Sequence, residues 1–171
     1  AVAAGGGGHA GHWSPFALIQ EIREFFDGPL ILGSAIATGA SVAGAKAAGA
    51  DLAYIGSAFI ATDEANAVDG YKDSIVECGA GDIVYSNLFT GVHGNYLAPS
   101  IRAAGMDPDN LPESDPSAMS FGSGGSSKNK AWKDIWGAGQ GIGAVKARQP
   151  AAKFIQKLKD EYQNAIAQFQ K

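Results

Sequence analysis

The residues best placed for chemistry lie in three glycine-rich segments. The first is Gly5-Gly6-Gly7-Gly8-His9. Consecutive glycines clear space around one imidazole. A neutral imidazole can take a carbon-bound proton as a general base, whereas a protonated one can hold an anionic substrate; both roles stay open for His9. His12 lies over the start of the next helix and reads as a spectator. His93, in Gly91-Val92-His93-Gly94, reads as structural, with the substrate entrance as the alternative.

The second feature is a repeated turn, Gly33-Ser34-Ala35 and Gly56-Ser57-Ala58, each after a short apolar run. A glycine at a strand end lets backbone approach a ligand without a Cβ between. Successive N–H groups with a serine hydroxyl form an anion-binding concavity. Gly33, Ser34, Ala35, Gly56 and Ser57 are therefore the expected phosphate ligands, with tight packing turns as the plainer reading. The third segment, Gly137 to Gly143, matches GxGxxG only loosely. No strand is expected before it, so a dinucleotide fingerprint is rejected. Gln140 offers a donor and an acceptor that suit the edge of a flavin ring. Trp132 and Trp136 read more readily as core than as cofactor contacts. Cys78 ends a helix with no basic neighbour and reads as a small buried residue.

The elements that must position these groups alternate. Residues 1–9 begin as a short apolar strand. Ser14-Pro15 opens a helix over 15–26, with Phe16, Ile19, Ile22 and Phe26 on one stripe. Leu30-Ile31-Leu32 is a wholly apolar strand of the kind buried in parallel sheets. A small-residue helix over 40–48, a strand over 51–55 and a helix over 64–77 follow. Such alternation implies parallel strands with crossover helices. The echo between residues 31–38 and 54–62 has the period of one βα unit. Residues 82–100 mix apolar and turn residues without a clear period. A loop is expected over 107–127, a short helix over 130–136 and a last helix over 150–169, with Phe154, Ile155, Leu158, Tyr162, Ile166 and Phe169 on its stripe.

Composition narrows the classes. With 171 residues, 46% hydrophobic and 18% charged, the chain is globular rather than disordered. A net charge of -4 without a basic cluster argues against nucleic acid as a partner. One cysteine rules out an internal disulfide and fits a reducing compartment. No leader pattern opens the chain, and no apolar run reaches bilayer length, so a cytoplasmic protein without a membrane partner is expected. No metal-ligand spacing is present.

Taken in order, the motifs resemble the nitronate monooxygenase family. Gly7-Gly8-His9-Ala10-Gly11 with Trp13-Ser14-Pro15-Phe16 resembles its histidine loop. Residues 32–39 resemble its seventh strand and phosphate loop, and residues 49–62 its eighth. Asn87-Leu88-Phe89-Thr90-Gly91-Val92 and Trp136-Gly137-Ala138-Gly139-Gln140-Gly141 also resemble family segments. The resemblance implies the C-terminal part, about strands 6–8, of an α/β (β/α)8 TIM barrel with extra C-terminal helices. It implies FMN at the barrel mouth, contacted by Gly7, Gly8, Gly33, Ser34, Ala35, Gly56, Ser57, Gly139 and Gln140, with His9 as the catalytic residue. The chemistry implied is oxidation of a small alkyl nitronate with O2. The flavin-dependent enoyl-acyl-carrier-protein reductases and NAD(P)H:quinone reductases are the enzymatic alternatives, and a structural half-barrel fragment the non-enzymatic one. The expected organisation is a partial barrel over 1–80, a cap closing on the flavin over 81–149 and a helix over 150–171. The preceding half of the barrel is expected to lie outside this sequence. Two departures stand out. The family usually has a second glycine where Ser34 stands and Thr-Arg where Ser57-Ala58 stand. Ala40, Ala43, Gly44, Ala47 and Ala48 are also smaller than expected.

Overall fold

The computed structural model describes residues 1–114 and 134–171. Much of the expected loop over 107–127, and most of the expected helix over 130–136 with Trp132, lie outside the described residues.

Two small sheets carry the fold. In the first, β2 (Ile31–Gly33) and β3 (Leu52–Tyr54) are parallel, with Ile31 opposite Leu52 and Gly33 opposite Tyr54. The opening residues lie along the other edge of β2. Gly33 N–H donates to the Ala1 carbonyl at 2.8 Å and Ala3 N–H to the Gly33 carbonyl at 2.9 Å. Val2 thereby forms a parallel bridge to Gly33. The expected strand-helix alternation is present: α1 (Pro15–Arg23) precedes β2, and α2 (Gly39–Ala47) connects β2 to β3.

The lower end of this unit, at the start of the strands, is stapled by one arginine. α1 stops at Arg23, short of the expected residue 26, because Arg23 folds over the chain that follows. Its Nη1 donates to the carbonyls of Phe26 at 3.1 Å and Gly28 at 2.7 Å. Its Nη2 reaches Gly49 O at 2.9 Å and the Asp51 carboxylate at 2.7 Å. The same Asp51 oxygen accepts from Leu30 N–H at 2.7 Å. The Leu30 N–H first, and Arg23 second, hold the Asp51 carboxyl below its ordinary pKa. Its contribution is therefore present above the usual carboxylate range and lost as acid protonates it.

Beyond β3 the chain makes a short helix α3 (Ser57–Ile60), and α4 spans Asp69–Glu77 rather than starting at 64. The delay has a cause. The buried ammonium of Lys72 donates to the carbonyls of Thr62 at 2.8 Å and Asp63 at 3.1 Å, holding this stretch as a loop over α4. Residues 82–100, which show no period in sequence, form a hairpin of β4 (Ile83–Ser86) and β5 (Gly94–Leu97) followed by α5 (Ala98–Ala103). All four residues of β5 are buried, so no apolar-polar alternation marks it. β1 (Gly8–His9) completes this second sheet on the free edge of β5. Gly137 also forms an antiparallel bridge with Tyr96, so the third glycine segment does meet a strand.

The last helix, α6 (Ala151–Phe169), forms as expected, but its stripe is only partly used. Phe154 is buried and meets Phe59 edge-on at 4.9 Å, whereas Ile155 and Phe169 are exposed. Where α6 crosses α2, the backbones touch. A Cβ on Gly39 would sit 2.1 Å from Leu158 O and 2.3 Å from Tyr162 N. Gly39 N–H donates to Glu161 at 2.8 Å. Close helix contact is the physical reason for the glycine that opens α2. The main core cluster draws on Ala37, Ile75, Leu97, Ile142 and Phe154, and so spans the whole chain.

One face of the first sheet is covered and the other is not. Leu32 is buried with Ile19, Leu30 and Ala45 beneath the helices. The opposite face presents Val2, Ile31, Leu52 and Tyr54, exposed at 52%, 43%, 59% and 70%. An apolar strip of this kind is an association surface. The 171-residue chain alone is expected to self-associate in sedimentation velocity, and Leu52→Ser with Tyr54→Ser to shift it toward monomer. A wild-type chain that stays monomeric at high concentration contradicts this.

Candidate functional site

A cavity of about 670 Å³ opens at the C-terminal ends of β2 and β3. The parallel register brings the two Gly-Ser turns side by side at its floor. Of the residues selected from sequence, Gly7, Gly8, His9, Gly33, Ser34, Gly56, Ser57 and Gly139 line it. Ala35 and Gln140 do not. Ala35 faces a smaller apolar crevice beside Phe16 and Ile19. Gln140 is exposed, and its N–H donates to Gly5 O at 2.9 Å, so it belongs to the packing of the glycine tract.

The glycines fall into two kinds. One kind is required by the protein itself. A Cβ on Gly7 would meet Ser57 Oγ at 2.6 Å, one on Gly139 would meet Gly5 O at 2.6 Å, and one on Gly141 would meet Ala35 O at 2.7 Å. The third glycine segment thus lies backbone-to-backbone on the first two. The other kind is not required by packing. A Cβ on Gly56 or Gly8 would meet nothing within 4 Å, and one on Gly33 only loose contacts from 3.7 Å outward. Gly8 has a second reason to be glycine, a φ of 67°. Gly33 and Gly56 have ordinary φ values, line the cavity and leave space in front of their backbone. That is a cradle a side chain would fill.

The two serines behave differently. Ser34 Oγ donates to Ala4 O at 2.7 Å, which ties the β2 turn to the glycine tract and uses the hydroxyl proton. Ser34 therefore contributes backbone, not a hydroxyl donor. Ser57 Oγ accepts from Gly139 N–H at 2.9 Å and keeps its own proton to donate. Ala58 is buried in the core, so nothing charged stands at that position.

His9 is carried by the hairpin. It pairs with Gly94, and Gly8 with Asn95. The buried Asn95 amide donates to Gly6 O at 2.6 Å, and Tyr85 Oη donates to Ala10 O at 2.9 Å. Ala10 N–H donates to His93 O at 3.3 Å, and the His93 ring stacks on Tyr85 at 4.9 Å. His93 is therefore part of the scaffold of the His9 loop. His12 packs edge-on against Trp13 at 6.3 Å, away from the cavity.

Sequence reading missed the groups behind His9. Its Nε2 lies 2.8 Å from Thr90 Oγ1. Tyr96 lines the cavity with its side chain 2% exposed, and its hydroxyl is buried with no hydrogen-bond partner among the described residues. Burial pushes the Tyr96 hydroxyl above its ordinary pKa, with the nearby Thr90 acting in the opposite direction. Nothing in the sequence Asn87-Leu88-Phe89-Thr90-Gly91-Val92 singles out Thr90. Tyr71, which also lines the cavity, stacks on Trp136 at 5.2 Å and donates to Gly137 O. Burial pushes the Tyr71 hydroxyl up to about 12, so it remains a neutral donor. Cys78, half-buried beside the core, has its thiol raised by burial and by Asp82 and Glu77, and takes no part in the cavity.

Comparison with known proteins agrees with this geometry. Residues 2–161 match the family model for nitronate monooxygenase. A nitronate monooxygenase of Paraburkholderia phytofirmans is 30% identical over 176 residues, covering 95% of this chain and 48% of that protein. The solved nitroalkane oxidase of Streptomyces ansochromogenes superposes with a TM-score of 0.77 at 25% identity, over 99% of this chain and 52% of that one. FabK of Thermotoga maritima shares the fold, with a TM-score of 0.71 at 21% identity, over 98% of this chain and 55% of that one. The chain spans about half the length of these relatives.

Proposed function

Because this chain belongs to the nitronate monooxygenase family, we propose that its cavity is the phosphate and substrate side of an FMN site and that the protein oxidises small alkyl nitronates with O2. The observation that carries the reading is the pair of glycines, Gly33 and Gly56. They sit at adjacent parallel strand ends and leave their Cβ space open toward one cavity. Barrel enzymes commonly bind phosphate at this end of their strands.

Bound there, FMN supplies the acceptance of two electrons from the substrate and their passage to O2. The chain's own residues do the rest. The backbone of Gly33-Ser34 and of Gly56-Ser57 would hold the phosphate, and Ser57 would add its hydroxyl proton. Tyr71 and Trp136 wall the cavity with a neutral, largely apolar surface. His9, at the cavity, takes the α-proton of a neutral nitroalkane or holds the anionic nitronate. The uncovered face of the first sheet, with Val2, Leu52 and Tyr54, is where further strands of a full barrel would lie. A cytoplasmic location is part of the same reading; among the described residues no helix is long and apolar enough to cross a membrane.

Gly56→Ala tests the cofactor assignment. The new methyl meets no protein atom within 4 Å and no φ constraint, so the melting temperature of the flavin-free protein should not fall. FMN affinity should fall by about 10-fold or more, since a methyl group then stands where phosphate must approach the backbone. FMN titration followed by fluorescence quenching measures it. Unchanged affinity in a folded variant removes the phosphate assignment.

A further inference from the structure

We propose that Ser57 is a positioning residue for the His9 loop, through which an occupied phosphate site tightens the backbone that carries His9. The inference rests on the reading of the Gly-Ser turns as the phosphate site and adds what its occupancy does.

One hydroxyl stands at the joint of the three glycine-rich segments. Ser57 Oγ accepts from Gly139 N–H at 2.9 Å. It also lies against Gly7, where a Cβ would stand 2.6 Å from that oxygen and 2.9 Å from Gly139 N. Neither contact uses the hydroxyl proton, and Ser57 lines the cavity. A hydroxyl has one proton and two lone pairs. Ser57 can therefore donate to an anion in the cavity while accepting from Gly139. Donation to an anion is the stronger, charge-assisted kind. It polarises the oxygen and strengthens the bond that oxygen accepts. Ser34 cannot act in this way, because its proton goes to Ala4 O at 2.7 Å.

From Gly139 to His9 the path runs backbone on backbone. A Cβ on Gly139 would stand 2.6 Å from Gly5 O and 3.0 Å from Gly7 N. Gln140 N–H donates to Gly5 O at 2.9 Å, and Ala138 N–H to Asn95 O at 3.2 Å. A Cβ on Gly137 would stand 3.2 Å from Gly8 N. Asn95 is opposite Gly8 in the pairing that sets His9 against Gly94, and its side-chain amide donates to Gly6 O at 2.6 Å. At these contacts no rotamer change can absorb a shift of one segment past the other, so holding Gly139 holds residues 5–9 as well.

The test is amide hydrogen exchange of the full-length protein, flavin-free and with FMN or riboflavin at equal saturation. Riboflavin has the same ring and ribityl chain without the phosphate, so the difference between the two reads the phosphate alone. FMN should slow exchange over residues 5–10 and 137–140 more than riboflavin does, and Ser57→Ala should erase that difference. In the flavin-free protein Ser57→Ala should also speed exchange of the Gly139 amide by about 5-fold, the effect of losing one ordinary hydrogen bond. Equal protection by the two flavins in the wild type overturns the proposal, even if Ser57→Ala cannot be made folded. So does a folded Ser57→Ala that keeps the difference or leaves the Gly139 amide unchanged. Failure of the underlying reading looks different. If FMN binds no more tightly than riboflavin, the phosphate site falls and the coupling with it. If FMN binds more tightly but protects equally, the phosphate site stands and only the coupling is lost.

Discussion

His9→Ala in the FMN-loaded full-length protein is expected to lower kcat/KM for a neutral nitroalkane far more than for the corresponding preformed nitronate. A neutral nitroalkane must lose its α-proton before it can be oxidised, and a positioned base contributes about 10²–10⁴-fold to such a step. The nitronate has already lost that proton, so only binding or charge stabilisation remains for His9 to supply. The structure gives the side chain a setting for this. It stands on the cavity rim, in a short antiparallel pairing with Gly94, with Nε2 against Thr90. His9→Asn sharpens the comparison, since an amide keeps a donor but cannot take the proton. Comparing kcat/KM on both substrate forms isolates the proton-transfer contribution. Equal losses on the two forms would make His9 an anion-binding residue. No loss on either would place it outside the active site.

Gly39→Ala is expected to be the most damaging single methyl in the scaffold, and Gly44→Ala, in the same helix, to stabilise. A Cβ at position 39 would overlap Leu158 O and Tyr162 N, both backbone atoms of α6 that no rotamer change can move. Either α6 shifts outward or α2 does, and the Glu161 bond to the Gly39 N–H stretches with it. Overpacking costs about 1–3 kcal/mol and occasionally more, and a clash with backbone puts Gly39→Ala at the upper end. At Gly44 a Cβ meets nothing within 4 Å and the φ is helical. There the gain in helix propensity is about 0.5–1 kcal/mol. Urea denaturation of both variants reads the difference as midpoint shifts of opposite sign at constant slope. A neutral Gly39→Ala would mean that α6 does not rest on α2 in solution.

Much of this protein was decided locally and could be read in order along the chain. The alternation of apolar strands and helices, the Ser14-Pro15 helix start and the paired Gly-Ser turns are short-range patterns, so β2, α2, β3 and α6 appear close to where periodicity puts them. The family followed from the order of those motifs, and the comparison with known proteins agrees. What the tertiary structure decided is the meaning of individual residues. Thirteen basic side chains look alike in sequence, yet Arg23 ties the end of α1 to Gly28, Gly49 and Asp51 at the start of the two strands, and Lys72 delays α4 by holding Thr62 and Asp63. The hairpin of β4 and β5 left no period because β5 is buried throughout. Glycine carries no side chain to disclose its purpose. Only the packing separates Gly39, Gly139 and Gly141, which are filled by neighbouring backbone, from Gly33 and Gly56, which stand open to the cavity. Thr90 and Tyr96 stayed silent for the same reason. Their roles depend on a β-register that joins residue 9 to residue 94, a contact between positions too far apart in sequence for any local pattern to record.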